Sequence, residues 1–296
     1  MIYKTKGRRV FNVINGIVIV ALTVSCVMPV WTMFCYSLSS SGAVSSGQVS
    51  LWPVDFTLAP YQFVMTNDRF WQAFLTTLQR LALGVPLTML VVILAAYPLS
   101  KSTSVFRARK FYMYFFLIPM LFSGGLIPNY ILIYNLKLMD SIWALILPGL
   151  VPIGNVVLLM NFFRSIPGEI EEAALIDGAG YWRVLRRIVL PLSVPALATI
   201  CLFVLLGHWN AWFDGLLYMN RQEGYPLQSY LQTLLIDSRK LMVLTGNVQD
   251  MVARSKVSGQ NLRAAQIFIS MVPILCVYPF MQRYFTTGLV MGSVKG

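Results

Sequence analysis

Uncharged apolar runs at 10-38, 81-100, 111-136, 141-163, 188-213 and 264-282 alternate with shorter polar segments in which the charged residues cluster. A helix rises about 1.5 Å per residue and needs roughly 20 apolar residues to cross a hydrocarbon core of about 30 Å, so every run reaches spanning length. Within such a core each backbone amide and carbonyl must be paired inside its own segment, which makes every crossing a helix. The pattern predicts an all-α integral membrane protein. Its six transmembrane helices are placed at 10-38, 73-100, 111-136, 141-163, 192-217 and 264-283, in one transmembrane domain covering 1-296.

Composition supports that reading. Of the 296 residues 57% are hydrophobic and 11% are charged, a balance that a water-soluble domain of this size could not keep in solution. With six crossings both termini share one side. That side holds Lys4, Lys6, Arg8 and Arg9, then Lys101, Arg107, Arg109 and Lys110, then Arg164, Arg183, Arg186 and Arg187, then Arg283 and Lys295. The excess of basic residues assigns it to the cytoplasm. Arg69, Lys137, Arg221, Arg239, Lys240, Arg254, Lys256 and Arg263 fall outside, most of them in one long loop where the rule is weak. The net charge of +12 therefore reads as topology. Split across two faces and bracketed by apolar helices, it does not point to nucleic acid.

The first run is too long for the apolar region of a signal peptide, and Thr23-Val24-Ser25-Cys26 only half resembles a lipoprotein cleavage site. Cys26, Cys35, Cys201 and Cys276 lie in apolar segments without metal-ligand spacing and read as reduced core residues. A Ser/Gly-rich stretch from Ser37 to Ser50 is the expected outer connector after the first helix. The third helix carries Pro119, Gly124, Gly125 and Pro128, which predicts either a kink made for packing or an unwound stretch at membrane depth.

Residues 165-190 are too polar to span and too regular to be a linker. Pro167 and the early acids suit a helix start, and Glu171, Glu172, Ala173, Ala174 and Leu175 continue it. Asp177-Gly178 marks a turn. A second short helix places Tyr181, Leu185, Ile188 and Val189 on one face, with Arg183, Arg186 and Arg187 elsewhere, and Pro191 is expected to close it. Two short amphipathic helices joined at a glycine form a rigid cytoplasmic knob between the fourth and fifth transmembrane helices, and such a knob suits force transmission.

From Glu172 to Pro195 the chain resembles the EAA loop of ATP-binding-cassette (ABC) importer permeases: Glu-Ala-Ala, three residues, Gly, nine residues, Ile, one residue, Leu-Pro. Glu172, Ala173, Ala174, Gly178, Ile188, Leu190 and Pro191 fill every position of that pattern. Residues 122-128, 142-148, 207-210 and 292-296 resemble the carbohydrate permeases of the maltose type, especially those for oligosaccharides of plant or algal polysaccharides. Leu185 stands where many members carry Phe, and an apolar anchor is kept. The resemblance implies that Glu172, Ala173, Ala174, Asp177, Gly178, Leu185, Ile188 and Pro191 couple the chain to a cytoplasmic ATPase. It also implies two such ATPase subunits, a second homologous permease, an extracytoplasmic solute-binding protein, and a bacterial cytoplasmic membrane as the site. The C-terminal tail with Lys295 would also touch the ATPases. No Gly-x4-Gly-Lys-Ser/Thr loop occurs in the sequence, so ATP and Mg are expected on the partner, and no cofactor is expected on this chain.

Sugars are held by aromatic faces and hydrogen-bonding groups. Asn129, Tyr130, Tyr134, His208, Trp209, Asn210 and Trp212, with Phe213 and Asp214 beside them, are the candidate pathway residues. The competing reading for the aromatics is a belt at the membrane boundary. Arg80, at the start of the second apolar run, is a candidate contact for an anion, which together with the basic outer loop would favour acidic oligosaccharides. A membrane enzyme is disfavoured by the single His and the lack of a nucleophile with a matched base. A secondary transporter is disfavoured by the near absence of carboxylates in the apolar runs and the lack of a clear internal repeat. The EAA pattern alone leaves open a permease for peptides or another polar solute.

Overall fold

The computed structural model describes residues 6–122, 124–237 and 259–293. Lys4, Arg239, Lys240, Arg254, Lys256 and Lys295, named above, and Ser123 within the 122-128 stretch lie outside them. The described chain is helical, with no strand among its residues. Its order is α1 (Lys6–Ser37), α2 (Ser41–Ser45), α3 (Ala59–Met65), α4 (Asp68–Ser100), α5 (Arg109–Leu121), α6 (Leu126–Asn135) and α7 (Ile142–Ile146). It continues with α8 (Ile153–Ser165), α9 (Gly168–Ile176), α10 (Tyr181–Leu192), α11 (Val194–Asn210), α12 (Phe213–Tyr218), α13 (Leu227–Asp237) and α14 (Gly259–Ser293).

Two compact units divide these elements. The first takes the described parts of 1–68 and 233–272. Its long helix α1 is apolar, and none of its spanning window is buried. The Ser/Gly-rich stretch after it is a folded loop. Cys35, Ala43, Val44 and Val49 make a small core. The Ser39 hydroxyl donates to the Cys35 carbonyl (2.6 Å) and accepts from the Val54 N–H (3.1 Å). Ser40 caps α2, and the Trp31 indole N–H reaches the Leu51 carbonyl at 2.8 Å.

The second unit takes 69–232 and the described part of 273–296. Here α4 is an unbroken 33-residue helix, and its buried positions Arg80, Gly84, Thr88, Val92 and Ala96 recur every four residues, which is one face of a helix. That face meets Val156, Leu159, Met160 and Phe163 of α8, Val184, Leu185 and Val189 of α10, and Ile200 and Val204 of α11 in one core.

Three of the segments expected as single helices are broken. The 111-136 segment is α5 and α6, separated at 122–125, where Gly125 takes φ +87° and ψ 179°, backbone that a Cβ makes costly. The 141-163 segment is α7, a 3-10 turn at Leu147–Gly149 and α8, with a bend of 50° at Val151 and Pro152; neither Pro148 nor Pro152 can donate a ladder hydrogen bond. The 192-217 segment ends as a span at Asn210, Ala211 is extended, and α12 follows. Here no proline or glycine marks the break.

Candidate functional site: a coupling hairpin and a helix-break charge cluster

Residues 165-190 fold as a helical hairpin. Its first helix, α9, starts behind Pro167 with Glu169 and Glu171 in its first turn, where carboxylates favour the positive end of the helix dipole. It stops in a Schellman turn. The Gly178 N–H donates to the Leu175 carbonyl (3.1 Å) and the Ala179 N–H to the Ala174 carbonyl (2.9 Å), with Gly178 left-handed at φ +78°. That conformation costs an L residue about 1–2 kcal/mol, so glycine here sets the reversal.

The second helix does not close at Pro191. It runs on through a π turn at Leu185–Val189 to Leu192, and only then bends by 83° into α11. A π turn reaches one residue further for each bond, which accommodates a proline that lacks an N–H. Ser193 sits fully buried in the bend, its N–H bonded to the Val189 and Leu190 carbonyls at 3.0 and 3.1 Å.

The two faces of the hairpin differ. Leu185 is 2% exposed and Val184 and Val189 are fully buried, while Ile188 and Ala174 pack partly into the same core. Leu185 and Ile188 therefore hold the hairpin onto the spanning helices rather than facing outward. Tyr181, placed on the same face from its spacing, is exposed instead. Glu172, Ala173, Asp177 and Gly178 point outward, and Pro191 is also exposed. Ile176, which sequence reasoning passed over, is 86% exposed. It lies one helical turn beyond Glu172, a spacing that could have revealed it. Among the described residues Glu172 has no ion-pair partner. Its neighbour Glu171 turns inward and pairs with Lys101 at the end of α4.

The second feature is a buried charge cluster. Arg80 is 4% exposed. Its guanidinium forms a two-toothed pair with Asp214, one Nη1–Oδ1 bond being 3.2 Å. Its Nη2 also donates to the Leu145 carbonyl at 2.9 Å, and its Nε to His208 Nδ1 at 3.2 Å. One side chain on α4 thus ties α7, α11 and α12 together and bridges the break at Ala211. Arg80, expected as a contact for a substrate anion, has its guanidinium engaged by the Asp214 carboxylate within the chain. His208 reaches it because position 84 is glycine, where a Cβ would stand 3.0 Å from the imidazole. Trp209 is buried beside Phe74, ring edge to face with centroids 6.4 Å apart. Its neighbours Asn210 and Trp212 are exposed.

The remaining pathway candidates lie on α6. Asn129 and Tyr134 are exposed, and Tyr130 is half-buried against the cluster of Ile133, Ala144 and Tyr218. The structure does not bring Asn129 or Tyr134 together with His208. Beyond α6, Asp140 takes both the backbone and side-chain N–H groups of Asn220, at 2.6 and 2.9 Å. These bonds hold its carboxyl below the ordinary carboxylate range.

Among the described residues two helices, and three bent helix pairs, are long and apolar enough to cross a membrane, with a hairpin of short polar helices among them. Comparison with known proteins gives the family. No family model matches. The chain is 34% identical over 288 residues, 97% of its length and 99% of the relative's, to the polygalacturonan/rhamnogalacturonan transport system permease protein YtcP of Bacillus subtilis (strain 168). It is 34% identical over 294 residues, 99% of its length and 98% of the relative's, to the protein LplC of the same organism. Among solved structures it matches a bacterial ABC transporter involved in the import of the acidic polysaccharide alginate. There the TM-score is 0.86 at 30% identity, covering 96% of this chain and all of that one. The chain belongs to the permease subunits of carbohydrate ABC importers. Permeases of this kind work with a solute-binding protein and with an ATPase, a separate subunit that hydrolyses ATP.

Proposed function

We propose that this chain forms half of the translocation pathway for an oligosaccharide, with a second, homologous permease forming the other half and two ATPases seated on the hairpin. Support for the pathway half comes from the break between α5 and α6. Phe122, Gly124 and Gly125 are exposed there in the isolated chain. Irregular backbone at membrane depth is tolerated where protein covers it or water lines it. Asn129, Tyr130 and Tyr134 follow at once on α6 and supply hydrogen-bonding and aromatic groups for sugar rings. Asn210 and Trp212, exposed at the end of α11, extend the same chemistry.

On the hairpin, the outward set of Glu172, Ala173, Ile176, Asp177 and Gly178 supports docking into a cleft of the ATPase. The small Ala173 allows close approach, Glu172 brings an unpaired carboxylate for a basic residue, and Ile176 supplies apolar area. In this reading there are six crossings, both termini and the hairpin are cytoplasmic, the membrane is the bacterial cytoplasmic membrane, and ATP and Mg stay on the partner.

The substrate class is an oligosaccharide containing uronic acids. The single observation that carries it is that two full-length relatives, one matched by sequence and one by structure, are described by acidic polysaccharides. Arg80 no longer supports it. Uptake assays in reconstituted vesicles with the partner subunits decide the matter: saturable import of uronic oligosaccharides with weaker import of neutral ones is expected. Preference for neutral sugars, or for a peptide, would remove the substrate assignment.

A further inference from the structure

The hairpin is joined to the spanning helices by the chain itself, from α8 into α9 and from α10 into α11 through the 83° bend at Ser193, and by the apolar core that Val184, Leu185 and Val189 share with Val92 and Ala96 of α4. A further, polar contact reaches the end of α4, which has no break from Asp68 to Ser100. Lys101 and Glu171 form an ion pair with side-chain exposures of 13% and 15%, so the pair is largely withdrawn from water. The Lys101 ammonium also lies 4.0 Å from the centroid of the Tyr97 ring, a cation–π contact that fixes the side chain one turn back along its own helix. The same helix end is held from two other sides. The Arg109 Nε donates to the Leu99 carbonyl (2.9 Å) and the Arg164 Nε to the Ser100 carbonyl (3.4 Å), taking up carbonyls that a helix terminus leaves without intrahelical partners.

Adjacent residues on a helix point about 100° apart. Glu171 and Glu172 therefore divide the work: Glu172 is presented outward, and Glu171 clamps the same turn to α4. At about 1.5 Å per residue, the 21 residues from Arg80 to Lys101 span roughly 30 Å. One helix thus carries the Lys101–Glu171 pair at its C-terminal end and the Arg80–Asp214 pair further back along its length.

We propose that Lys101 and Glu171 are positioning residues that transmit displacement of the hairpin into α4, and through it to the broken helices held by Arg80. A continuous helix held at Arg80 and again at its C-terminal end carries motion along its length, Pro86 and Pro98 within it notwithstanding, whereas the 83° bend can absorb motion by flexing. The inference rests on the hairpin being the ATPase-coupling element, and the test separates the two. The whole complex is purified with Lys101→Met, Glu171→Gln and the exchange Lys101→Glu with Glu171→Lys, then reconstituted. Retention of the ATPase, ATP hydrolysis and sugar uptake are measured on each. Lys101→Met keeps the aliphatic stem and removes only the charge.

Both single variants are expected to retain the ATPase and hydrolyse ATP, while sugar moved per ATP falls about tenfold, the effect of losing one charge-assisted bond. The exchange is expected to recover most of that ratio. Unchanged transport per ATP in the single variants would overturn the inference. So would loss of assembly that the exchange does not restore, which would assign the pair to folding. Failure of the wild-type chain to retain any ATPase would instead remove the coupling reading itself.

Discussion

Replacing Arg80 by Met tests whether the buried cluster is an internal clamp. The substitution leaves Asp214 without its cation and removes the donors to the Leu145 carbonyl and to His208 Nδ1. Removing one member of a buried pair costs about 3–5 kcal/mol, because the remaining charge stays in a poorly solvated site. The Asp214 side chain keeps 24% exposure, so the lower end of that range, about 3 kcal/mol, is expected. Asp214→Asn strands a guanidinium that is only 4% exposed and should cost about 4–5 kcal/mol. With both changes made, no charge remains. The loss should then shrink to about 1–2 kcal/mol for the carbonyl and imidazole left without donors. Unfolding by SDS in bicelles, followed by tryptophan fluorescence, reads all three variants, and the coupling between the two sites is the informative quantity. Because the anion of Arg80 is internal, the ratio of uronic to neutral sugar uptake should not move in the folded fraction of Arg80→Met. A loss below about 1 kcal/mol in Arg80→Met, or a double variant as unstable as the sum of the singles, would refute the clamp.

Gly84→Ala places a methyl 3.0 Å from the His208 ring, so overpacking of about 1–3 kcal/mol is expected in the same unfolding assay, and the same change at Gly207, with nothing within 4 Å, should be nearly silent. Glu172→Lys should leave the protein inserted and folded but cut ATP-driven uptake at least tenfold, read as uptake against hydrolysis in reconstituted vesicles. The Asp140 carboxyl is held below its ordinary range first by the Asn220 side-chain amide and then by the Asn220 backbone N–H. A depressed folded value means that its stabilisation is complete above the unfolded value near about pH 4 and is lost as pH falls through the folded one. Thermal melts from pH 7 down to pH 3 should therefore show a shallower acid-side decline in Asp140→Asn than in the parent chain.

The hairpin was legible in the sequence because its determinants are local. Pro167, the early acids and Gly178 act within one or two turns, and the structure gives each the position that its chemistry requires. Pro191 misled because the π turn at Leu185–Val189 depends on how the helix is buried, which spacing does not report. Leu185 looked like a surface anchor, but an apolar residue on a short amphipathic helix can face its own protein as readily as a partner. Breaks at Gly125 and around Pro148 and Pro152 fall at residues that weaken helical backbone, glycine by its freedom to take φ +87° and proline by its missing N–H. The break at Ala211 has no such marker and is set by tertiary contacts, among them Gly215 under Pro226, where a Cβ would stand 2.7 Å away. Arg80 and Asp214 are 134 residues apart, and no local pattern pairs them. Without its partner, a lone arginine at the start of an apolar run read naturally as a site for an external anion.

The account stands or falls on what the outward face of α9 touches. A photo-crosslinking amino acid at Ile176, irradiated in the intact importer purified from membranes, should yield one dominant adduct, identified by mass spectrometry as the ATPase subunit, and the yield should change when ATP is added. Adducts to the solute-binding protein, or none to any nucleotide-binding subunit, would contradict the account.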